Sequence, residues 1–171
     1  MPISLTVDAC VLRASGLNSN DLASLCRRVL EAIWKSDAKL IFSAELKTEW
    51  DKHKSKHGAG WLARMHSSKR LSFVRVGGPH FNGISRAIEH LPREQIAAAR
   101  KDIHLVSAAV QFDSAIVSYE VNCRSKYHSI IQQYPPLAYV MWLDPFRHAK
   151  EVALYIEGAP AANECRLSFD T

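Results

Sequence analysis

Four carboxylates stand at positions from which they can project toward one edge of a predicted sheet. Asp8 comes directly after the first strand, Glu49 lies one to two turns into the helix after the second, Asp102 begins the helix before the fourth, and Glu120 follows the fourth. Carboxylates at one edge of a sheet repel one another unless cations neutralise them, and Mg²⁺ or Mn²⁺ takes oxygen ligands. Two such ions about 3.5–4 Å apart can activate a water and stabilise the leaving oxygen of a phosphodiester. These residues predict a nuclease-type metal site.

Each acid also has a simpler interpretation. Asp8 is typical of a strand-to-turn corner, and Asp102 is typical of a helix N-cap. Glu49 and Glu120 are compatible with ordinary exposed acids. Glu45 is an alternative to Glu49, because the two lie four residues apart on one helix face. Their predicted shared location favours the catalytic interpretation over these alternatives.

Strands that alternate with helices must position these acids. Short apolar runs predict five strands, at residues 3–7, 39–42, 71–76, 114–118 and 138–143. Apolar spacing and capping residues predict helices over residues 21–36, 44–56, 61–68, 82–90, from 92 or 93, from 102, 121–132, and from 145 to a stop at Gly158. The pattern predicts a three-layer α/β/α sandwich around a mainly parallel sheet. Ligands of such sheets bind beyond the carboxyl ends of the strands.

Single residues and short stretches set several of these boundaries. Ser43 predicts an N-cap, and Asp144 predicts another with Pro at the first helical position. The glycines of residues 57–60 predict a break between two helices, and residues 77–79 predict a turn. The boundary between the helix from 92 or 93 and the segment from 102 stays open.

Composition predicts one soluble domain. The chain has 171 residues, of which 47% are hydrophobic and 23% charged, and such a chain buries a sizeable core without disulfides or structural metals. We assign the domain to residues 1–158 and a loose tail to 159–171. No run approaches the roughly 20 apolar residues of a membrane span, and the four cysteines lie far apart. We therefore expect reduced thiols, a cytoplasmic location and no membrane contact.

The excess positive charge is confined to one stretch. The formal net charge is +5, and residues 47–75 hold eight lysines and arginines against two acids. Such a stretch can follow a phosphate backbone, although a solvated helical face is the simpler interpretation. The nucleic-acid-binding candidates in it are Lys52, Lys54, Lys56, Arg64, Lys69 and Arg70. Trp50 and Trp61 lie in the same stretch and are candidates for stacking on bases, whereas core packing is expected for Trp34 and Trp142.

Other chemistries lack their motifs. His53 and His57 stand four residues apart without the His-Glu-x-x-His arrangement of a zinc site. The sequence contains no Walker-type glycine loop and no Gly-x-Ser-x-Gly elbow, and Cys10 has no context that marks it as a nucleophile. Nucleotide-driven and nucleophilic-serine chemistry are therefore disfavoured.

Three segments resemble the PIN-domain ribonucleases, many of which are toxins of bacterial toxin–antitoxin pairs. Residues 6–12, Thr-Val-Asp-Ala-Cys-Val-Leu, look like the opening strand of that family, which ends in Asp. Residues 42–50 are similar to its second strand and helix, where a glutamate precedes an aromatic residue. Residues 102–120 look like its most diagnostic stretch, an Asp, an alanine-rich helix, a strand ending in Val-Ser and another acid. The resemblance spans most of residues 3–120.

This resemblance implies a Mg²⁺- or Mn²⁺-dependent endoribonuclease. Its metal ligands would be Asp8, Glu49, Asp102 and Glu120, and Ser118 would be a supporting hydroxyl. Two features depart from the family pattern. Ala9-Cys10 replaces the usual Thr-Asn, and Glu120 replaces a more common Asp.

The leading hypothesis is therefore hydrolysis of RNA phosphodiesters at a carboxylate-bound metal site, with an antitoxin protein as a partner of a toxin of this type. The departures motivate an alternative, a catalytically silent PIN-like domain that binds RNA or a protein. A weaker alternative is a phosphohydrolase with Asp8 as nucleophile, although Cys10 stands where its Asp-x-Asp pattern needs a second Asp. A homodimer would be the commonest oligomer.

Overall fold

A sheet of five parallel strands forms the central layer of the protein. The computed structural model describes residues 2–18, 20–160 and 162–169. Its strands are β1 (Ser4–Val7), β2 (Lys39–Phe42), β3 (Leu71–Phe73), β4 (Ala115–Val117) and β5 (Trp142–Leu143). They lie in the order β3-β2-β1-β4-β5, with every neighbouring pair parallel. Most residues of the inner strands are buried, as expected of parallel strands covered on both faces.

Helices cover this sheet, and the predicted α/β architecture is confirmed. They are α1 (Ala9–Ala14), α2 (Asp21–Lys35), α3 (Ala44–His53), α4 (Lys56–Ser67), α5 (Gly78–Ile88), α6 (Arg93–Phe112), α7 (Val121–Ser129) and α8 (Ala149–Ile156). α5 and α7 pack on α6, while α4 and α8 pack on α2. None of the described helices has the length and hydrophobicity needed to cross a lipid bilayer.

The strand order places β1 and β4 where the chain reverses its direction across the sheet. From β1 the chain adds β2 and β3 on one side, and it then returns to add β4 and β5 on the other. The crevice at such a switch point, outside the carboxyl ends of the strands, is where open α/β sheets bind ligands. Val7 pairs with Val117, so Asp8 and Ser118 leave neighbouring strands side by side at this crevice.

The predicted break between two helices is present, but it lies at residues 54 and 55 rather than at 57–60, which belong to the start of α4. Ser55 Oγ accepts a hydrogen bond from Gly58 N at 3.0 Å and donates one to Leu12 O at 2.8 Å, which caps α4 against α1. A Cβ at position 58 would lie 2.8 Å from the carbonyl oxygen of Leu12. Gly58 therefore serves the close approach of two helices, and this packing outweighs its low helix propensity.

We expect Gly58→Ala to lower the free energy of unfolding by about 1–3 kcal/mol, because the added methyl group meets backbone that cannot easily move. Gly60→Ala is the matched control, since a Cβ there meets nothing within 4 Å. That substitution should raise the free energy of unfolding by about 0.5–1 kcal/mol through helix propensity. Urea denaturation measures both changes. Equal stability of the two variants would contradict the close approach at Leu12.

One helix spans the region in which the sequence left a boundary open. α6 runs for 20 residues, so Asp102 lies in its middle. The prediction that Asp102 begins a helix and the N-cap alternative are both wrong. The physical reason is that residues 94–101 contain three alanines and no Gly or Pro, so nothing interrupts the helix.

Several other boundaries are also shifted. α5 begins at Gly78 with Pro79 in its first turn, where a missing N–H is tolerated, so the predicted turn at 77–79 is a helix start. β3 ends at Phe73 rather than 76 because its neighbour β2 ends at Phe42, whose carbonyl takes the last ladder bond from Val74 N. The first part of predicted strand 138–143 is instead a 3₁₀ helix, Pro135–Tyr139.

The C-terminal helix starts later than predicted, and the segment after it is packed. Asp144 Oδ1 accepts hydrogen bonds from the backbone of residues 146 and 147 at 2.8 and 3.1 Å, so it closes a turn, and α8 begins only at Ala149. The prediction of a loose tail after Gly158 is wrong for residues 162–169. Cys165 and Leu167 are buried there, and Arg166 forms an isolated antiparallel β-bridge with Met141. Residues 161, 170 and 171 of the predicted tail lie outside the described residues.

Candidate active site

The four predicted carboxylates line one cleft at the carboxyl edge of the sheet. This cleft has a volume of about 350 Å³. Five segments of the chain contribute to it: the turn after β1, and helices α1, α3, α6 and α7 with the residue that precedes α7. The carboxylates that it brings together are Asp8, Glu49, Asp102 and Glu120. All four are half-buried.

Asp8 joins β1 to a short helix that the sequence analysis missed. Its backbone N–H donates to Val117 O at 3.0 Å, which continues the pairing with β4. Its Oδ1 accepts a hydrogen bond from Cys10 N at 3.3 Å and so caps α1. Six residues are too few for a recognisable apolar period, and the capping Asp was the available signal. Asp8 is thus held by backbone contacts while its carboxylate lines the cleft.

Ser118 connects two of the acids. It is fully buried, its Oγ donates a hydrogen bond to Asp8 Oδ2 at 2.7 Å, and the same Oγ accepts one from the backbone N–H of Glu120 at 3.1 Å. The sulfur of Cys10 lies 3.6 Å from this hydroxyl. Ser118 therefore fixes the orientation of the Asp8 carboxylate and the direction in which the chain leaves β4. This is the geometry expected of a supporting hydroxyl.

α3 brings Glu49 to the cleft and leaves Glu45 outside the cleft lining. Ser43 caps α3 as predicted, accepting from Leu46 N at 3.3 Å. Trp50 Nε1 donates to Val7 O at 2.8 Å, which ties the helix to the end of β1. Glu49 Oε2 lies 3.3 Å from Nε2 of His53, which also lines the cleft. The sequence analysis considered His53 only for a zinc motif that is absent, and so missed its place in the cleft.

Asp102 carries the electrostatic signature of the cleft. Burial, and then the nearby charge of Asp8, raise the pKa of its carboxyl, and a hydrogen bond from the Cys123 thiol opposes that rise. The same surroundings raise the pKa of the Cys10 and Cys123 thiols, mainly through burial and also through Asp8. Burial, and in second place the charge of Asp8, therefore disfavours the ionised form of Asp102 in the folded protein, and a bound cation would reduce this penalty.

We expect Asp102→Asn to raise the melting temperature at pH 7 in the absence of divalent ions. The raised pKa means that the folded state destabilises the charged carboxylate relative to the unfolded chain, and the substitution removes that charge. The difference from wild type should shrink as the pH falls and vanish below about 4, where the unfolded carboxyl is also protonated. Thermal unfolding followed by circular dichroism at several pH values measures this. A variant less stable than wild type at pH 7 would contradict the assigned repulsion.

The donor chemistry of the cleft fits a hard divalent cation, since four carboxylates supply oxygen ligands and repel one another. Their spacing does not yet form a ligand set. Within residues 2–18, 20–160 and 162–169, no three Asp, Glu, His or Cys side chains are placed so that they could hold one metal ion together. The acids share the cleft without converging on a point, and side-chain rotation would have to bring them around an ion.

Three cations that the sequence analysis missed also line the cleft. They are Arg13 of α1, Lys101 of α6 and Lys126 of α7. They are separated in the sequence, so no charge run marked them. None of the six predicted nucleic-acid-binding residues, Lys52, Lys54, Lys56, Arg64, Lys69 and Arg70, lines this cleft.

The predicted basic stretch divides between the two edges of the sheet. Lys52 and Lys56 are exposed near the junction of α3 and α4, and Lys54 Nζ lies 2.5 Å from Asp51. α4 then carries the chain back toward the start of β3 at the opposite edge. At that edge lie Arg64, Lys69 and Arg70.

Two of those residues already have local partners. Arg70 donates to backbone carbonyls at the end of α2, including Trp34 O at 2.8 Å, and Arg64 lies 3.4 Å from Glu31. Both guanidinium groups stack on the ring of Trp34, 4.9 and 5.0 Å from its centroid. Trp34 is therefore half-buried under this pair, rather than wholly in the core.

Trp50 and Trp61 are core residues, so the prediction that they stack on bases is wrong. They are 3% and 1% exposed, and Trp61 Nε1 donates to Leu30 O at 2.6 Å. Basic neighbours in sequence do not report burial, and the apolar period of α3 and α4 turns these rings inward. Phe73, the last residue of β3, is an exposed ring of this stretch: it is 58% exposed and packs edge-on against Phe42.

Known proteins resemble this chain weakly. No family model matches the sequence, and no curated protein matches it significantly. Among solved structures, it is similar to the crystal structure of VapBC2 from Rickettsia felis bound to a DNA fragment from their promoter. That likeness covers 83% of this chain and 98% of the other, with a TM-score of 0.44 and 12% sequence identity. A likeness this weak indicates no function for this chain.

Proposed function

We propose that the protein is a divalent-metal-dependent endoribonuclease whose active site is the carboxylate cleft. The observation that carries this proposal is that four acids, far apart in the sequence, line one cleft at the switch point of a parallel sheet. The resemblance of their segments to PIN-domain ribonucleases supports the reaction class and RNA as substrate.

Asp8, Glu49, Asp102 and Glu120 would hold Mg²⁺ or Mn²⁺. The ions would supply an activated water and neutralise charge on the leaving oxygen of the phosphodiester. The protein contributes orientation: Ser118 holds Asp8 through the 2.7 Å hydrogen bond, and α3, anchored through Trp50 to Val7, carries Glu49 toward it. The carboxylate of Asp102 would add negative charge to the cleft and so favour the binding of a cation.

Metal binding can be tested without activity. Mn²⁺ should raise the melting temperature of the protein, because a ligand that binds only the folded state stabilises it. Asp8→Asn should remove most of this shift, and Asp37→Asn, an exposed acid at the opposite edge, should keep it. No shift in the wild-type protein at millimolar Mn²⁺ would contradict the metal site.

The chemistry can be tested through the reaction products. Hydrolysis by water leaves RNA ends without a 2′,3′-cyclic phosphate, whereas attack by the neighbouring 2′-hydroxyl produces one. Wild-type protein with Mn²⁺ should cut a labelled RNA into fragments without cyclic ends, and EDTA should prevent the cut. Cyclic ends, or cleavage that persists in EDTA, would contradict the proposal.

A catalytically silent RNA-binding domain is the second candidate. It is favoured by the spacing of the acids, which do not form a ligand set among the described residues, and by Ala9-Cys10 at the place of the family's Thr-Asn. It predicts salt-sensitive RNA binding with no Mn²⁺-dependent cleavage. The same labelled RNA distinguishes the two candidates when binding and cleavage are measured together.

On the sequence resemblance alone, we also propose that the chain is the toxin of a toxin–antitoxin pair with an antitoxin protein as its partner. Its induced expression in a bacterial host should then arrest growth, and Asp8→Asn should not. Normal growth with intact wild-type protein present would contradict the toxin assignment while leaving the nuclease proposal in place.

A further inference from the structure

We infer that the phosphate backbone of the substrate is held by a cationic rim made of Arg13, Lys101 and Lys126, and that it does not follow the basic stretch of residues 47–75. The inference rests on the proposed function, because it concerns how RNA reaches the carboxylate cleft. It names a substrate-binding surface, and three positioning residues, that lie outside the sequence-based assignment.

The rim surrounds the acids from three elements. Arg13 lies in the last turn of α1, Lys101 in the middle of α6 beside Asp102, and Lys126 in α7. All three line the same cleft as the four carboxylates. Because α1 follows Asp8 directly and α7 follows Glu120, the rim is held by the same segments that position the catalytic acids.

The rim cations are available to a polyanion. Arg13 and Lys101 are exposed and Lys126 is half-buried. Across the part of the chain that the structure describes, none of the three forms a salt bridge within 4.0 Å. Arg13 interacts with the neutral side chain of Tyr119. Because no carboxylate of the described residues neutralises any of the three cations, each keeps its charge for a phosphate. Phosphates that flank the scissile bond would meet the rim while the scissile phosphate faces the acids.

The basic stretch is less suitable for this role. Lys54 is paired with Asp51 and Arg64 with Glu31, while the guanidinium of Arg70 is bound to carbonyl groups at the end of α2. Arg64 and Arg70 also lie at the edge of the sheet opposite the acids. A backbone that followed them would pass away from the cleft.

The test compares three double variants that each remove two positive charges. The rim variant is Lys101→Gln with Lys126→Gln, and the rival surface is tested with Lys52→Gln and Lys56→Gln. The control is Lys35→Gln with Lys39→Gln, two exposed lysines at the opposite edge. Each is made in full-length protein with Asp8→Asn to prevent cleavage, and thermal unfolding checks the fold. Fluorescence anisotropy then measures the affinity for a short labelled single-stranded RNA at several salt concentrations.

For the rim variant we expect weaker binding at low salt and a shallower slope of log K against log salt. The slope should be smaller by about 0.7 for each phosphate that the protein no longer neutralises. Arg13→Gln removes one charge and should reduce the slope by about 0.7, and the control pair should leave it unchanged. If the rim lysines only offset the negative charge of the carboxylates and did not contact RNA, their replacement would change the stability of the protein but not this slope.

The outcomes distinguish the rim inference from the proposed function. If wild type cleaves RNA but the rim variant keeps the slope, or if only the Lys52 and Lys56 pair lowers it, the rim inference is overturned and the nuclease proposal stands. If wild type neither binds nor cleaves RNA, the proposed function fails and the inference fails with it.

Discussion

Asp8→Asn should reduce Mn²⁺-dependent RNA cleavage by at least about 100-fold. Even groups that only hydrogen-bond to a metal ligand cost about 10–100-fold in metal affinity or activity when they are replaced, and Asp8 is expected to be a ligand itself. The Asn oxygen can still accept the bond from Cys10 N, whereas its amide NH2 replaces the oxygen that accepts from Ser118 Oγ, so the variant loses the charge and reverses that second hydrogen bond. Initial rates with a labelled RNA at saturating Mn²⁺ measure the effect.

Asp37→Asn is the matched control for this variant. It removes the same charge from an exposed site that does not line the cleft, and its cleavage rate should equal that of wild type. Melting temperatures of both variants close to or above the wild-type value would show that the loss is chemical. Full activity of Asp8→Asn would contradict the assignment of the cleft.

Trp61→Ala should lower the free energy of unfolding by about 3–5 kcal/mol. The side chain is 1% exposed and its Nε1–H is bound to Leu30 O, so truncation leaves a large cavity between α4 and α2 and removes this hydrogen bond. Since small domains are stable by only about 5–15 kcal/mol, much of the variant should unfold at moderate urea. Urea denaturation followed by circular dichroism measures the change.

Trp34→Ala is the comparison. The indole of Trp34 is only half-buried, so its removal should lower the free energy of unfolding clearly less. RNA affinity of the folded fraction of Trp61→Ala should be unchanged, since the ring does not line the cleft. A Trp61→Ala protein as stable as wild type, with weakened RNA binding, would instead support the stacking role that the sequence suggested.

The sheet and its acids were predictable because their signals are local. Runs such as Leu40-Ile41-Phe42 mark buried parallel strands, and an acid directly after such a run has to lie at the carboxyl edge. Helix boundaries were harder. Gly58 predicts a helix break until its close approach to Leu12 O is known. Asp102 lies in the middle of α6 only because residues 94–101 are helical. Both depend on packing rather than on local propensity.

The cations of the site were not predictable from charge along the chain. Arg13, Lys101 and Lys126 are isolated in sequence and meet only because α1, α6 and α7 lie around one cleft. The basic residues of 47–75 are close in sequence but far apart in the fold, because α4 crosses from one edge of the sheet to the other. A run of charge predicts a surface only when one face of one element carries it.

The most direct test of the carboxylate cleft as an active site is cleavage of a mixed-sequence labelled RNA by purified protein with Mn²⁺, with EDTA, and with Asp102→Asn in place of wild type. We expect fragments in the first reaction and intact RNA in the other two. Cleavage that survives EDTA would contradict a metal-dependent nuclease, as would salt-sensitive binding of RNA that stays intact with Mn²⁺. Cleavage that survives Asp102→Asn would contradict the carboxylate cleft as its active site.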